Sequence, residues 1–212
     1  MSKKKRITAV FGGTFDPPHN GHIHLATQII RKGKADNVMF IPALNPPHKP
    51  DLPISSFEDR FAMTEIAASA VDSCQVSKIE AERKNKPSYT FETMSNLSER
   101  YPSHKFLLLI GLDSLLAIDT WYKAAELIQK WGIITYPRNN DCPDDRHILE
   151  ELTKKWDKPV AYLLLQSILK ADIYDISSTE IREKIRQELN VSDYISPEVY
   201  NYIKEKGLYK SD

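Results

Sequence analysis

Apolar positions along the chain follow two rhythms. Short continuous runs recur at ITAVF (7–11), NVMFIP (37–42), KFLLLIG (105–111) and GIITY (132–136). Continuous apolarity marks strands buried on both faces, as in a parallel sheet. CQVSKIE (74–80) alternates instead and predicts a further strand. Helical spacing covers 21–33, 56–71, 90–100 and 121–131. Strand and helix thus alternate, which predicts an α/β fold: a doubly wound parallel sheet with helices on both faces.

The C-terminal third changes character. A helical stretch at about 144–156 precedes the apolar run AYLLL (161–165) and a short DIYDI segment. Two more helices are expected, at about 178–189 and 197–206. Ile181, Ile185 and Leu189 fall at i, i+4 and i+8, which predicts one core-facing stripe. No repeat, low-complexity segment or linker interrupts the chain. Residues 1–212 therefore read as one domain, with about 176–212 forming a small C-terminal helical part. Proline is dense at 42–53 (PALNPPHKPDLP), a rigid and irregular loop.

Composition narrows the function classes. Among 212 residues, Lys+Arg and Asp+Glu both number 29, so the formal net charge is zero. A broad nucleic-acid-binding face is disfavoured, although a local basic pocket is compatible with that balance. The opening MSKKKR reads as a solvated basic tail, because glycines, Asp16 and prolines follow too soon for a signal-peptide core. No apolar stretch reaches the ~18 residues of a membrane span. Cys74 and Cys142 are distant and show no metal or redox spacing. A reducing cytoplasm is the expected location, and a homo-oligomer stays open.

The densest chemistry lies in GGTFDPPHNGH (12–22), between the first strand and the first helix. In a doubly wound sheet that junction is at the carboxyl edge, where ligands bind. Gly12 and Gly13 allow a phosphate to approach the backbone, and a helix tip supplies free N–H groups and the positive dipole end. His19 and His22, three residues apart, can face one ligand. Neither G-x-G-x-x-G nor G-K-[ST] is present, so this is not a dinucleotide fingerprint or a Walker loop. Asp16, His19, His22 and His24 form a competing metal-ligand set. The glycines and the helix start serve a phosphate and add nothing to zinc, which favours the phosphate reading.

A second motif, ISSTEIR (176–182), opens the first tail helix. Ser177-x-x-Glu180 is a capping box with Ser177 as N-cap. Arg182, one turn in, can add a guanidinium fork to a phosphate. Alone, this segment reads as a well-capped surface helix. Paired with the first motif, it offers a second helix tip for a triphosphate.

GGTFDPPHNGH with ISSTEIR resembles the nucleotidyltransferase superfamily. NPPHK (45–49), PSYT (87–90), IGLDSLL (110–116), TWY (120–122) and YIKEKGLY (202–209) narrow the resemblance to bacterial nicotinate mononucleotide adenylyltransferases, over about residues 7–209. The resemblance implies a Rossmann-like sheet. It implies transfer of the adenylyl group of ATP to nicotinate mononucleotide, giving deamido-NAD and pyrophosphate, with Mg2+ held mainly by substrate phosphates. It assigns His19, His22 and Arg182 to catalysis. ATP and its phosphates fall to Gly12, Gly13, Thr14, Phe15, His19, His22, Lys49, Gly111, Asp113, Ser177, Ser178 and Arg182, with Asp113 on a ribose hydroxyl. The mononucleotide falls to His48, Thr90, Trp121 and Tyr122. Trp121 would stack on the pyridine ring, and backbone N–H groups at Thr90 and Tyr122 would read the carboxylate. One departure stands out. The family often has Arg-Pro after the strand at 132–136, whereas this chain has Tyr136-Pro137-Arg138, which leaves the role of Arg138 open.

The residues suit this chemistry. A phosphate monoester has a second pKa near ~6 and is mostly dianionic at neutral pH, so the nucleophile needs no general base. The chain shows no evident Ser–His–Asp or Cys–His set. What the reaction needs is alignment of two anions and stabilisation of developing charge. Two other readings compete. One is a sister transferase with a different phosphate acceptor, disfavoured by PPHK, SYT and TWY. The other is a nucleotide sensor without turnover, disfavoured by the intact His19, His22 and Arg182.

Overall fold

The computed structural model describes residues 5–45, 54–82, 88–137, 143–170, 174 and 176–210. Five strands, β1 (Arg6–Gly13), β2 (Asn37–Pro42), β3 (Cys74–Val76), β4 (His104–Gly111) and β5 (Ile133–Tyr136), form one sheet in the order β3-β2-β1-β4-β5. All pairings are parallel, as the continuous apolar runs predict. β1 lies at the centre, with Val10 level with Met39 on β2 and Leu108 on β4. The order runs outward in both directions from β1, so the carboxyl ends of β1 and β4 adjoin at the crevice of a doubly wound sheet.

Side chains of β1 alternate between two cores. Val10 joins the cluster beneath α3 (Thr90–Arg100), α5 (Ala124–Trp131), α6 (Asp145–Thr153) and α7 (Lys158–Gln166). Ala9 and Phe11 join the opposite cluster, with Leu25, Ala26 and Ile29 of α1 (Asn20–Arg31). The sheet is thus covered on both faces. A third cluster packs Met63 and Ala67 of α2 (Phe57–Ala68) against Ile181 of α8 (Ser178–Arg186) and Val199 and Ile203 of α9 (Pro197–Lys206). Through α2, the C-terminal helices are tied to the sheet's carboxyl end.

Local chemistry sets the helix starts. Ser56, Asp144, Asp157, Ser177 and Ser196 each cap a helix, their side chains accepting from an N–H three residues on. Such caps contribute about 1 kcal/mol each. Asp157 and Pro159 also explain why AYLLL is the body of α7 and not a strand. The chain then touches the sheet once more: Thr135 N–H donates to the Ser167 carbonyl at 2.9 Å and the Thr135 carbonyl accepts from Leu169 N–H at 2.7 Å.

Three sequence expectations are corrected. The alternating run 74–80 is a strand only to Val76, after which a turn buries Ile79 and Glu80. Glu80 accepts from the Thr93 hydroxyl at 3.1 Å and from Leu44 N–H at 3.3 Å, which a straight strand would forgo. The helix expected at 121–131 starts at Ala124, because Lys123 adopts a left-handed φ of 56°. Finally, α8 ends at Arg186, so Leu189 leaves the stripe and is 49% exposed, whereas Ile181 is fully buried.

The first and last positions of the expected stripe should therefore behave differently. Ile181→Ala is expected to lose about 2–5 kcal/mol in denaturant unfolding. Leu189→Ala should stay within about 0.5 kcal/mol of the parent. Similar losses at both would contradict this packing.

Candidate active site

The two motifs meet at the carboxyl end of β1. After Gly13 the chain turns through Phe15, a buried residue with φ 52°, and enters α1 with His19 as N-cap. Gly13 is required by its neighbour: a Cβ there would lie 2.7 Å from the Phe15 ring. A Cβ on Gly12 would meet nothing within 4 Å, so this backbone borders open space. Gly21 has a separate role, since a Cβ would press on the His19 imidazole at 3.0 Å and on Ile176 at 3.3 Å.

The two imidazoles act as a unit. Their rings stack with centroids 3.7 Å apart, and the His22 ring leans on Phe15 at 5.0 Å and Phe11 at 5.7 Å. His19 N–H donates to His22 Nδ1 at 3.1 Å. That bond requires an unprotonated Nδ1, so the ring proton sits on Nε2 and makes that atom a donor. His19 itself is 9% exposed.

The second motif is latched onto the first by direct bonds. The Ser178 hydroxyl donates to the Pro17 carbonyl at 2.9 Å. Arg182 Nη1 donates to the Asp16 carbonyl at 2.8 Å and Nη2 to Thr179 Oγ1 at 3.3 Å. Ser177 caps α8 by accepting from Glu180 N–H at 3.2 Å, as the capping-box spacing predicts. Asn20 at the α1 tip is held by Tyr194 and Asp193 carbonyls, at 2.7 Å to its N–H and 3.1 Å to its Nδ2. Two helix N-termini therefore share one neighbourhood with Arg182 and the imidazole pair. Their N–H groups, dipoles and guanidinium form a donor set for a polyanion.

The metal alternative fares worse. Among the described residues no group of three His, Cys, Asp or Glu gathers to hold an ion. The Asp16 carboxylate is 1% exposed and accepts from Tyr209 Oη at 2.6 Å. His24 Nε2 faces Gln28 Nε2 at 2.6 Å, one turn along α1.

Of the remaining expected residues, those described lie at the same edge of the sheet. Gly111, level with Tyr136, is the N-cap of α4 (Leu112–Leu116), which carries exposed Asp113 in its first turn. Thr90 is the first residue of α3. Trp121 is half-buried against the core, and Tyr122 is exposed, its ring 4.8 Å from that of Tyr89. Since α3 and α5 lead back to the starts of β4 and β5, their N-termini lie at the carboxyl edge with the two motifs. Tyr136 packs edge-on against Phe11 at 5.8 Å, filling the place where the family often has arginine. His48, Lys49 and Arg138 lie outside the described residues.

Sequence reasoning missed Arg60. It is 1% exposed on α2 and donates to the carbonyls of Thr14 (2.9 Å), Ser55 (3.1 Å) and Leu44 (3.4 Å). Burial lowers its pKa, and Asp16 opposes that shift. An arginine in an amphipathic helix carries no local signal of this kind. The role of Gly21 could have been read from its place between the two histidines. Cys74 is half-buried, and burial pushes its thiol up to about 11, which makes it an inert thiol.

This geometry accords with what the chain resembles. Residues 10–184 match the cytidylyltransferase-like family model, and the chain belongs to that family of nucleotidyltransferases. Within it, the chain falls among the nicotinate-nucleotide adenylyltransferases. It is 35% identical to the probable enzyme of that name from Clostridium tetani, over 98% of this chain and 100% of the other. The Bacillus subtilis nicotinate-nucleotide adenylyltransferase is 34% identical, over 95% and 97%. The fold is shared with a nicotinic acid mononucleotide adenylyltransferase of Plasmodium falciparum solved with NaAD, at TM-score 0.71, 18% identity and coverage of 96% and 97%. A putative nicotinate-nucleotide adenylyltransferase from Vibrio parahaemolyticus superimposes at TM-score 0.68, with 19% identity and coverage of 98% and 97%.

The glycine pair supplies a test of the local packing. Gly13→Ala should cost about 1–3 kcal/mol in unfolding, because the Phe15 ring must move. Gly12→Ala should stay within about 0.5 kcal/mol. Equal costs would remove the Phe15 ring as the reason for glycine at 13.

Proposed function

We propose that this site transfers the adenylyl group of ATP to nicotinate mononucleotide, giving deamido-NAD and pyrophosphate, as a cytoplasmic step of NAD biosynthesis. The observation that carries the reading is the bonding of the α8 tip and Arg182 to Asp16–Pro17 beside the stacked His19–His22 pair. The triphosphate lies between the two helix tips, approaching the open backbone at Gly12, while the neighbouring mononucleotide site takes in Thr90, Trp121 and Tyr122.

The acceptor phosphate attacks the α-phosphorus as a dianion, and no protein base is needed. The protein's part is to align two anions and to meet the charge that develops. His22 Nε2–H and the Arg182 fork donate to phosphate oxygens as the bond to pyrophosphate breaks. A stacked imidazole pair next to a guanidinium suits phosphate oxygens and leaves a divalent ion to the substrate. A divalent ion such as Mg2+, bound with ATP, would supply charge neutralisation on the pyrophosphate.

The decisive assay is pyrophosphate release from ATP and Mg2+, with nicotinate mononucleotide or its amide as acceptor. Strong preference for the acid is expected from helix N-termini that read a carboxylate. Equal use of both would discard the pocket at Thr90, Trp121 and Tyr122, and release with neither would discard the acceptor. His22→Ala should lower kcat by about 10²–10³-fold with the unfolding transition retained, the size found for loss of one transition-state donor. An unchanged kcat would remove His22 from the mechanism.

A further inference from the structure

Asp16 sits under the nucleotide site and is held from three distant parts of the chain. Its carbonyl accepts from Arg182 Nη1 at 2.8 Å, its Oδ1 from Tyr209 Oη at 2.6 Å and its Oδ2, at a long 3.4 Å, from Ser55 N–H. Tyr209 comes from the far end of the sequence. It reaches Asp16 because α9 stops at Gly207, whose φ of 64° is left-handed, and Tyr209 itself takes φ 62°. A tyrosine in that region is strained and persists only where its surroundings demand it. Its ring is packed against the third core cluster.

We propose that Tyr209 is a positioning residue for adenylyl transfer: its hydroxyl fixes Asp16, and Asp16 fixes the direction in which Arg182 meets the triphosphate. The proposal rests on the nucleotidyl-transfer reading above. A hydroxyl on a buried carboxylate is a strong, directional bond. Burial, then the Asp16 charge, push the phenol above its ordinary range, so it stays protonated and able to donate. The Arg182 fork uses two of its N–H groups on Asp16 and Thr179, and only one of these anchors lies outside α8. A shift of Asp16 therefore turns the guanidinium relative to the α1 tip.

An internal control is built into α9, the helix that precedes Tyr209. The Tyr202 hydroxyl donates to Asp59 Oδ1 at 2.9 Å, holding α9 on α2 without touching Asp16 or Arg182. A merely structural strap would make Tyr202→Phe and Tyr209→Phe equivalent. Calorimetric titration of the full chain with ATP and Mg2+ distinguishes the two. Tyr209→Phe is expected to weaken ATP about tenfold while nicotinate mononucleotide affinity changes less than about twofold. Tyr202→Phe should leave ATP affinity within about twofold, whatever either variant does to the unfolding temperature. In an Arg182→Lys background, Tyr209→Phe should add less than about twofold, because the two act as one unit. Unchanged ATP affinity in Tyr209→Phe, equal losses in both tyrosine variants, or additive losses with Arg182→Lys would each overturn the role of Tyr209 alone. Failure of the unmodified chain to bind ATP would overturn the transferase reading and this proposal with it.

Discussion

Two buried carbonyls organise this molecule. Asp16 and Pro17 lie where the chain leaves β1, and neither carbonyl has a partner in a strand or helix ladder. Buried carbonyls demand donors, since leaving one unmade costs about 1–3 kcal/mol. The donors come from about 160 residues later in the chain, as the Ser178 hydroxyl and Arg182 Nη1. Satisfying that demand brings the second helix tip to the first. The site is thus a by-product of a hydrogen-bonding requirement in a proline-rich turn, which ties stability at this edge to its chemistry.

Much of the architecture could be read before any coordinates. The four continuous apolar runs became central or flanking parallel strands because burial on both faces leaves a periodicity that nothing local disguises. The first tail helix was visible through Ser177, whose capping chemistry is local. The errors fell where tertiary demands override pattern. Ile79 has the spacing of a strand residue and is buried by a turn instead, since Glu80 must reach Thr93 and Leu44. Leu189 has the spacing of a helix stripe, yet α8 has already ended.

The candidate site divides in the same way. His19, His22, Ser177 and Arg182 announce themselves by spacing, and the structure groups them. Arg60 and Tyr209 do not, because the site partners they reach, Thr14 and Asp16, are 46 and 193 residues away in sequence. Gly13 and Gly21 are intermediate: Gly13 looked like a phosphate glycine and Gly21 carried no reading, and the structure shows each making room for an aromatic ring, Phe15 or His19. Of these three motif glycines, Gly12 alone borders open space. A glycine-rich motif can therefore mix residues that admit ligand with residues that admit the protein's own side chains.

The charge arrangement explains why such a site can remain poised for an anion in a chain of zero net charge. Arg60 lies among carboxylates: Asp16, Glu58 and Glu80 all act on it. They oppose the effect of burial on it, and its hydrogen bonds serve three carbonyls. The Arg182 fork instead bonds a carbonyl and a hydroxyl, both neutral, so these contacts orient its charge without cancelling it. Each helix tip adds the equivalent of roughly half a positive charge. Bringing two tips and a guanidinium together is repulsive until an anion arrives, and direct bonds through Asp16 and Pro17 hold them against that repulsion. Preorganised donors of this kind need little rearrangement when charge moves onto a leaving pyrophosphate. The two arginines thus divide the labour: one is buried to build the turn, and the other is aimed by it.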